Sequence, residues 1–134
     1  MAIEKYDAIL REKLSKKRYE HTIRVYETAI SLAEQYKVSH EKVAQAALLH
    51  DLKKCESKEA LAHAIKAYEL PEALMQFNEE LWHGPVAAKY VQASYDIQDE
   101  DVLNSIYYHT TGRAKMTAVE LIVFVADYIE PGRD

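Results

Sequence analysis

The stretch "AALLHDLKKC", Ala46 to Cys55, ends an apolar run in two adjacent polar residues, His50 and Asp51. A carboxylate carried into a helical core loses several kcal/mol of hydration unless a cation or a hydrogen-bond donor replaces the water. The pair therefore needs a partner. Six histidines are present, and four of them, His21, His50, His83 and His109, fall at the ends or on the faces of apolar stretches. His40 and His63 stand among lysines and glutamates and read as surface residues without a chemical role. Asp127 interrupts "LIVFVADYI", a segment apolar nearly all round and therefore expected to be buried. Alone, Asp127 fits an ordinary ion pair or a helix cap.

Together, His21, His50, Asp51, His83, His109 and Asp127 offer four imidazoles and two carboxylates on successive helices. A lone core histidine is more often structural than ligating, but helices packed around one centre can bring such a set onto one or two divalent cations. His50 and Asp51 are neighbours and leave a helix about 100 degrees apart, so one could bind an ion while the other reaches a second. Oxygen and nitrogen donors without thiolate suit iron, manganese, cobalt or zinc.

Cations lie one helical turn from these candidates. Arg18 and Arg24 flank His21 at three residues either way, and Lys54 follows His50 by four and Asp51 by three. Positive charge beside metal ligands is useful where an anion such as phosphate binds. The stretch "HTTGR" adds Thr111 and Arg113 as further oxyanion contacts. Solvated surface charge is the plainer reading of each cation, above all of Arg24.

Helices must position this set. Ile3, Tyr6, Leu10 and Leu14 mark one apolar face, and Ile23, Tyr26, Ile30 and Ala33 another. Helices are expected over 3–14, 17–36, 40–54, 58–68, 71–79, 85–94, 99–110 and 117–129, with no strand. Ser39 and Ser57 are expected N-caps, and Pro85 suits the first turn of the helix that follows Gly84. The fold class is all-α, a helical bundle.

The 134 residues suffice for one domain, and a chain 49% hydrophobic and 29% charged, with three Gly and three Pro, excludes disorder. A net charge of −5 argues against binding nucleic acid polymers, so a polyanion needs local cations or metal. The charged N-terminus is no signal peptide and no apolar run could span a membrane, which makes the cytoplasm the expected location. Cys55 is the single cysteine, which fits a reducing compartment and marks a bystander. Ten tyrosines and free helix faces leave room for a homodimer.

The order His21, His50-Asp51, His83, His109, Asp127 resembles the HD-domain metal-dependent phosphohydrolase superfamily. The stretches "RYEHTIRV", "ALLHDLKK", "ELWHGPVAA", "YYHTTGRAKMT" and "VADYIEPGR" resemble, more narrowly, the YqeK family of bacterial HD-domain hydrolases, which split diadenosine tetraphosphate symmetrically. The resemblance runs from about Tyr6 to Arg133. It implies a compact HD-type bundle and a dinuclear centre, usually of iron. His21, His50, Asp51 and Asp127 would hold one ion and His83 and His109 the other, with Asp51 bridging. Arg18, Lys54, Thr111, Arg113 and Arg133 match positions near substrate phosphates.

The implied reaction is that of a bis(5'-nucleosyl)-tetraphosphatase: a metal-activated hydroxide attacks a dinucleoside polyphosphate to give two ADP. Asp51 and Lys54 are the implied catalytic residues, Lys54 assisting the leaving group or holding its phosphate. A related nucleotidase acting on mononucleotides would carry the same site. So would a nucleotide- and metal-binding module that has lost catalysis by truncation, because family members continue past "EPGR" with a helical segment. Residues 1–134 are therefore expected to form a single HD domain without that segment.

Overall fold

Short polar side chains open most of the helices. In the computed structural model, which describes residues 2–130, Ser15, Ser39 and Ser57 accept the backbone N–H of Arg18, Lys42 and Ala60. They start α2 (Lys16–Tyr36), α3 (His40–Leu49) and α4 (Lys58–Ala67). Asp99 caps α6 (Glu100–Tyr107), and Thr117 with Glu120 forms a capping box at the start of α7 (Ala118–Ile129). With α1 (Ala2–Lys13) and α5 (His83–Ser94) these are the α-helices of the described residues, which contain no strand. The all-α architecture is as expected, and the caps on Ser39 and Ser57 form as expected.

Helix α3 lies at the centre, packed against α1, α2, α6 and α7. Its sequence explains the position. Val43, Ala44, Ala46, Ala47, Leu48 and Leu49 are all buried, and the small alanines let neighbouring helices approach. A helix enclosed in this way delivers the residues after its last turn into the middle of the bundle. His50 and Asp51 occupy those positions, and both are buried. A second, smaller core of Leu61, Ile65, Leu70, Trp82 and Val86 joins α4 to the start of α5.

The structure corrects several expectations. Helix α3 ends at Leu49, not at 54. Residues 50–55 form turns in which Leu52, Lys54 and Glu56 donate their N–H to the carbonyls of Leu49, Asp51 and Lys53, three residues back. The α-helical spacing used to relate His50, Asp51 and Lys54 therefore does not apply.

The helix expected over 71–79 is instead two short 3-10 helices, Glu72–Gln76 and Glu79–Leu81. The Leu74 carbonyl accepts from Trp82 Nε1 at 2.9 Å and from Phe77 N at 3.1 Å, and Asn78 caps a new turn by accepting from Glu80 N. These bonds replace an α-helical ladder.

Helix α5 begins at His83, so Pro85 is in its first turn but Gly84 lies inside the helix. The buried stripe of α2 runs through His21, Val25, Ala29 and Ala33, while Ile23, Tyr26 and Ile30 are partly buried at its flanks. His21 thus continues a core-facing stripe. Helix α7 is not enclosed all round: Leu121 is 51% exposed, Tyr128 72% and Ile129 53%. Asp127 is accordingly half-buried. Among the described residues, no helix is long and apolar enough to cross a membrane.

Candidate metal centre

Three helix ends and one helix interior meet at Asp51. His50 and Asp51 come from the end of α3, His83 from the first residue of α5, and His109 from just beyond α6. His21 comes from within α2. Asp51 Oδ1 lies 3.3 Å from His83 Nε2, 3.6 Å from His109 Nε2 and 3.7 Å from His50 Nε2. Its other oxygen, Oδ2, lies 3.9 Å from His21 Nε2 and accepts a hydrogen bond from Arg18 Nη2.

Two overlapping groups result, His21–His50–Asp51 and Asp51–His83–His109, each with ligand atoms within 4.8 Å of one another. Asp127 joins the first group, with Oδ1 at 2.9 Å from His21 Nε2 and 3.6 Å from His50 Nε2.

Backbone and carboxylate partners aim the rings. His50 Nδ1 donates to the Ala47 carbonyl at 2.6 Å, and His109 Nδ1 donates to the Ile106 carbonyl at 2.7 Å. With Nδ1–H committed, Nε2 is the nitrogen left to take a proton or a metal. Gly84 permits the meeting of α5 with the end of α6. A Cβ there would stand 3.0 Å from the carbonyls of both Ile106 and Tyr107 and 3.2 Å from His109 Cε1. Without it, His83 Nε2 and His109 Nε2 approach to 3.0 Å.

The residues present fit a divalent cation. Among the described residues, His50 Nε2 is buried with no hydrogen-bond partner, which is costly for a polar atom unless something else binds it. The electrostatics agree. Burial alone would lower the His50 pKa, but the charge of Asp51 and then the Asp127 carboxylate push it up to about 9. Burial likewise works against ionisation of Asp51, yet the His50 charge and hydrogen bonds from His109 and His83 hold its pKa well below the usual carboxylate range. Asp127 is lowered against its burial, first by its hydrogen bond with His21 and then by the nearby His50 imidazole. His83 is shifted down, first by burial and further by His109 and Lys54, against the pull of Asp51. The centre thus draws positive charge, which a proton or a metal ion can supply.

The other expected site residues divide. Arg18 is on the centre, paired with Asp51. Lys54 lines a cavity of about 330 Å³ with Lys58, Glu56, Glu79, Glu80 and His83, so it shares an opening with one ligand. Thr111 is exposed and donates to the Gly112 carbonyl at 3.0 Å. Arg113 is engaged elsewhere: its Nε and Nη2 grip the two oxygens of Glu120 at 2.7 and 2.8 Å. Arg133 lies outside the described residues. His40, His63 and Cys55 are exposed, as expected.

One participant was missed from the sequence and one was undervalued. Glu130 is buried, with Oε1 at 3.0 Å from His21 Nδ1 and Oε2 accepting from Arg24 Nε at 2.8 Å. Arg24 is therefore not simple surface charge. Glu130 stands three residues past Asp127, at the end of an apolar helix, and that placement was the available signal.

The HD domain family model matches residues 18–132. A symmetrical bis(5'-nucleosyl)-tetraphosphatase of Staphylococcus aureus is 47% identical over 133 residues, covering 99% of this chain and 69% of that protein. One from Bacillus subtilis is 44% identical, covering 94% of this chain and 68% of the relative. A crystal structure from Clostridium acetobutylicum, described as a "predicted HD superfamily hydrolase involved in NAD metabolism", superposes with a TM-score of 0.90 at 39% identity, covering 98% of this chain and 70% of that one. With a whole-chain match of this kind and the His-Asp pair at the centre of the ligand cluster, the chain belongs to the HD-domain family, in its branch of symmetrical bis(5'-nucleosyl)-tetraphosphatases.

Proposed function

We propose that this chain hydrolyses diadenosine tetraphosphate symmetrically to two ADP at a dinuclear metal centre. The observation that carries the reading is the place of Asp51, one carboxylate within 4 Å of Nε2 atoms from both histidine groups. His21, His50, Asp51 and Asp127 would hold one ion and His83 and His109 the second, with Asp51 shared. Iron is the proposed metal on the family resemblance, and the donor atoms also suit manganese, cobalt or zinc. The names of the relatives support the substrate.

Divalent cations held by these residues would supply Lewis acidity, lowering the pKa of a water toward neutrality and polarising phosphoryl oxygens. The reaction adds one water across the central phosphoanhydride bond. The water oxygen joins one phosphorus, the bond to the bridging oxygen breaks, and each half departs as ADP.

The residues of the chain bind and neutralise. Arg18, on the rim of the centre with its side chain 27% exposed, offers a guanidinium to the phosphate chain. Lys54, beside His83 in the same cavity, meets the charge that develops on the leaving phosphate. Thr111 adds an exposed hydroxyl. Arg113, gripped by Glu120, orders the loop that carries Thr111.

The test is chromatography of products after iron- or manganese-loaded protein is incubated with diadenosine tetraphosphate. ADP as sole product is expected. AMP with ATP would replace symmetric by asymmetric attack, and turnover of mononucleotides alone would assign a nucleotidase.

A further inference from the structure

Glu130 is the C-terminal boundary residue of α7, where the backbone leaves the helix for an extended conformation. Its side chain is 0% exposed. A carboxylate in that position is stable only with strong partners. His21 and Arg24 face it, three residues apart on α2, so one side of that helix offers an imidazole nitrogen and a guanidinium to one carboxylate. Each takes a different oxygen: His21 Nδ1 lies 3.0 Å from Oε1, and Arg24 Nε donates to Oε2 at 2.8 Å.

The other two rings with a defined Nδ1 partner use backbone carbonyls, Ala47 for His50 and Ile106 for His109. Among these, His21 is the one backed by an anion. A carboxylate fixes the proton on Nδ1, leaves Nε2 to face Asp127 and Asp51, and makes the ring a more basic ligand than a carbonyl does.

We propose that Glu130, held in place by Arg24, is the positioning residue for His21 and sets the affinity of the first of the two metal ions. The inference rests on the dinuclear reading above. Its consequence is an asymmetry: loss of Glu130 weakens the ion at His21, His50 and Asp127, and leaves the ion at His83 and His109 as it was.

The experiment is a cobalt(II) titration of the full chain followed by visible absorption, with metal content measured after desalting. His21→Ala and His83→Ala identify which binding phase belongs to which group. Glu130→Gln, nearly equal in shape but uncharged, is expected to weaken the His21 phase about 10- to 100-fold, with the other phase unchanged. Arg24→Met leaves Glu130 in place without its anchor and is expected to weaken the same phase several-fold. It serves as the second variant should Glu130→Gln fail to give a native thermal transition.

Unchanged affinity at the His21 phase in a folded variant overturns the inference. Equal weakening of both phases overturns it also, since that is the mark of a general structural role. Wild-type protein that takes up no cobalt would instead overturn the dinuclear reading on which it depends.

Discussion

His83 Nε2 and His109 Nε2 face each other at 3.0 Å across the junction of α5 with the end of α6. Gly84 makes that approach possible, because a methyl group there would press on two backbone carbonyls that cannot swing aside. Gly84→Ala is therefore expected to push α5 outward. Overpacking of this kind costs about 1–3 kcal/mol, read as a lower melting temperature. The same variant is expected to bind one metal ion per chain and the wild type two, measured by metal analysis after desalting.

Asp51→Ala tests the shared carboxylate. It removes the oxygens that approach all four histidines and leaves Arg18 without its partner. Metal binding and hydrolysis are expected to disappear together. Retention of two ions per chain would show that Asp51 does not bridge.

Lys54→Ala separates substrate handling from metal binding. Lys54 shares a cavity with His83, the ligand candidate at the start of α5. Metal content is expected to stay at the wild-type level while kcat/KM for diadenosine tetraphosphate falls on the order of a hundredfold, the scale of losing one charge-stabilising donor. His63→Ala, at an exposed position, is the control and is expected to match wild type.

The Arg113–Glu120 pair is expected to make part of the stability pH-dependent. Burial raises the Glu120 pKa, but the Arg113 hydrogen bond, helped by Thr117, outweighs it and the net shift is downward. A folded-state pKa below the unfolded one contributes stability that is present above the unfolded value and is lost as pH falls through the folded value. The melting-temperature difference between wild type and Glu120→Gln is therefore expected to be largest near neutrality and to shrink below about pH 4, the ordinary glutamate pKa. A difference that stays constant from about pH 7 to about pH 3 would show that the pair does not carry this dependence.

Helix type and location were largely legible because amphipathic spacing and caps are local. Ser39 and Ser57 cap as their positions imply, and Tyr6, Leu10 and Leu14 are buried together. Apolar spacing misleads where a side chain competes for the backbone carbonyls of a helix. Trp82 takes the Leu74 carbonyl, and residues 71–79 do not form an α-helix. His50 takes the Ala47 carbonyl at the point where α3 stops.

By itself the sequence determined which donor types are on offer: four histidines and two aspartates on apolar elements, costly to bury unless a partner or a cation meets them. Residue type alone carries that chemistry, so it can be read without a fold. The tertiary structure decided how the donors are shared. Asp51 falls between two groups because α3 is enclosed on several sides and ends at the centre. Glu130 reaches His21 from 109 positions away, and Arg24 becomes its anchor for the same reason. Arg113 pairs with Glu120, seven residues on, through both of its carboxylate oxygens. Each of these pairings is a balance of desolvation against a partner brought by packing, and sequence spacing does not encode which partner arrives.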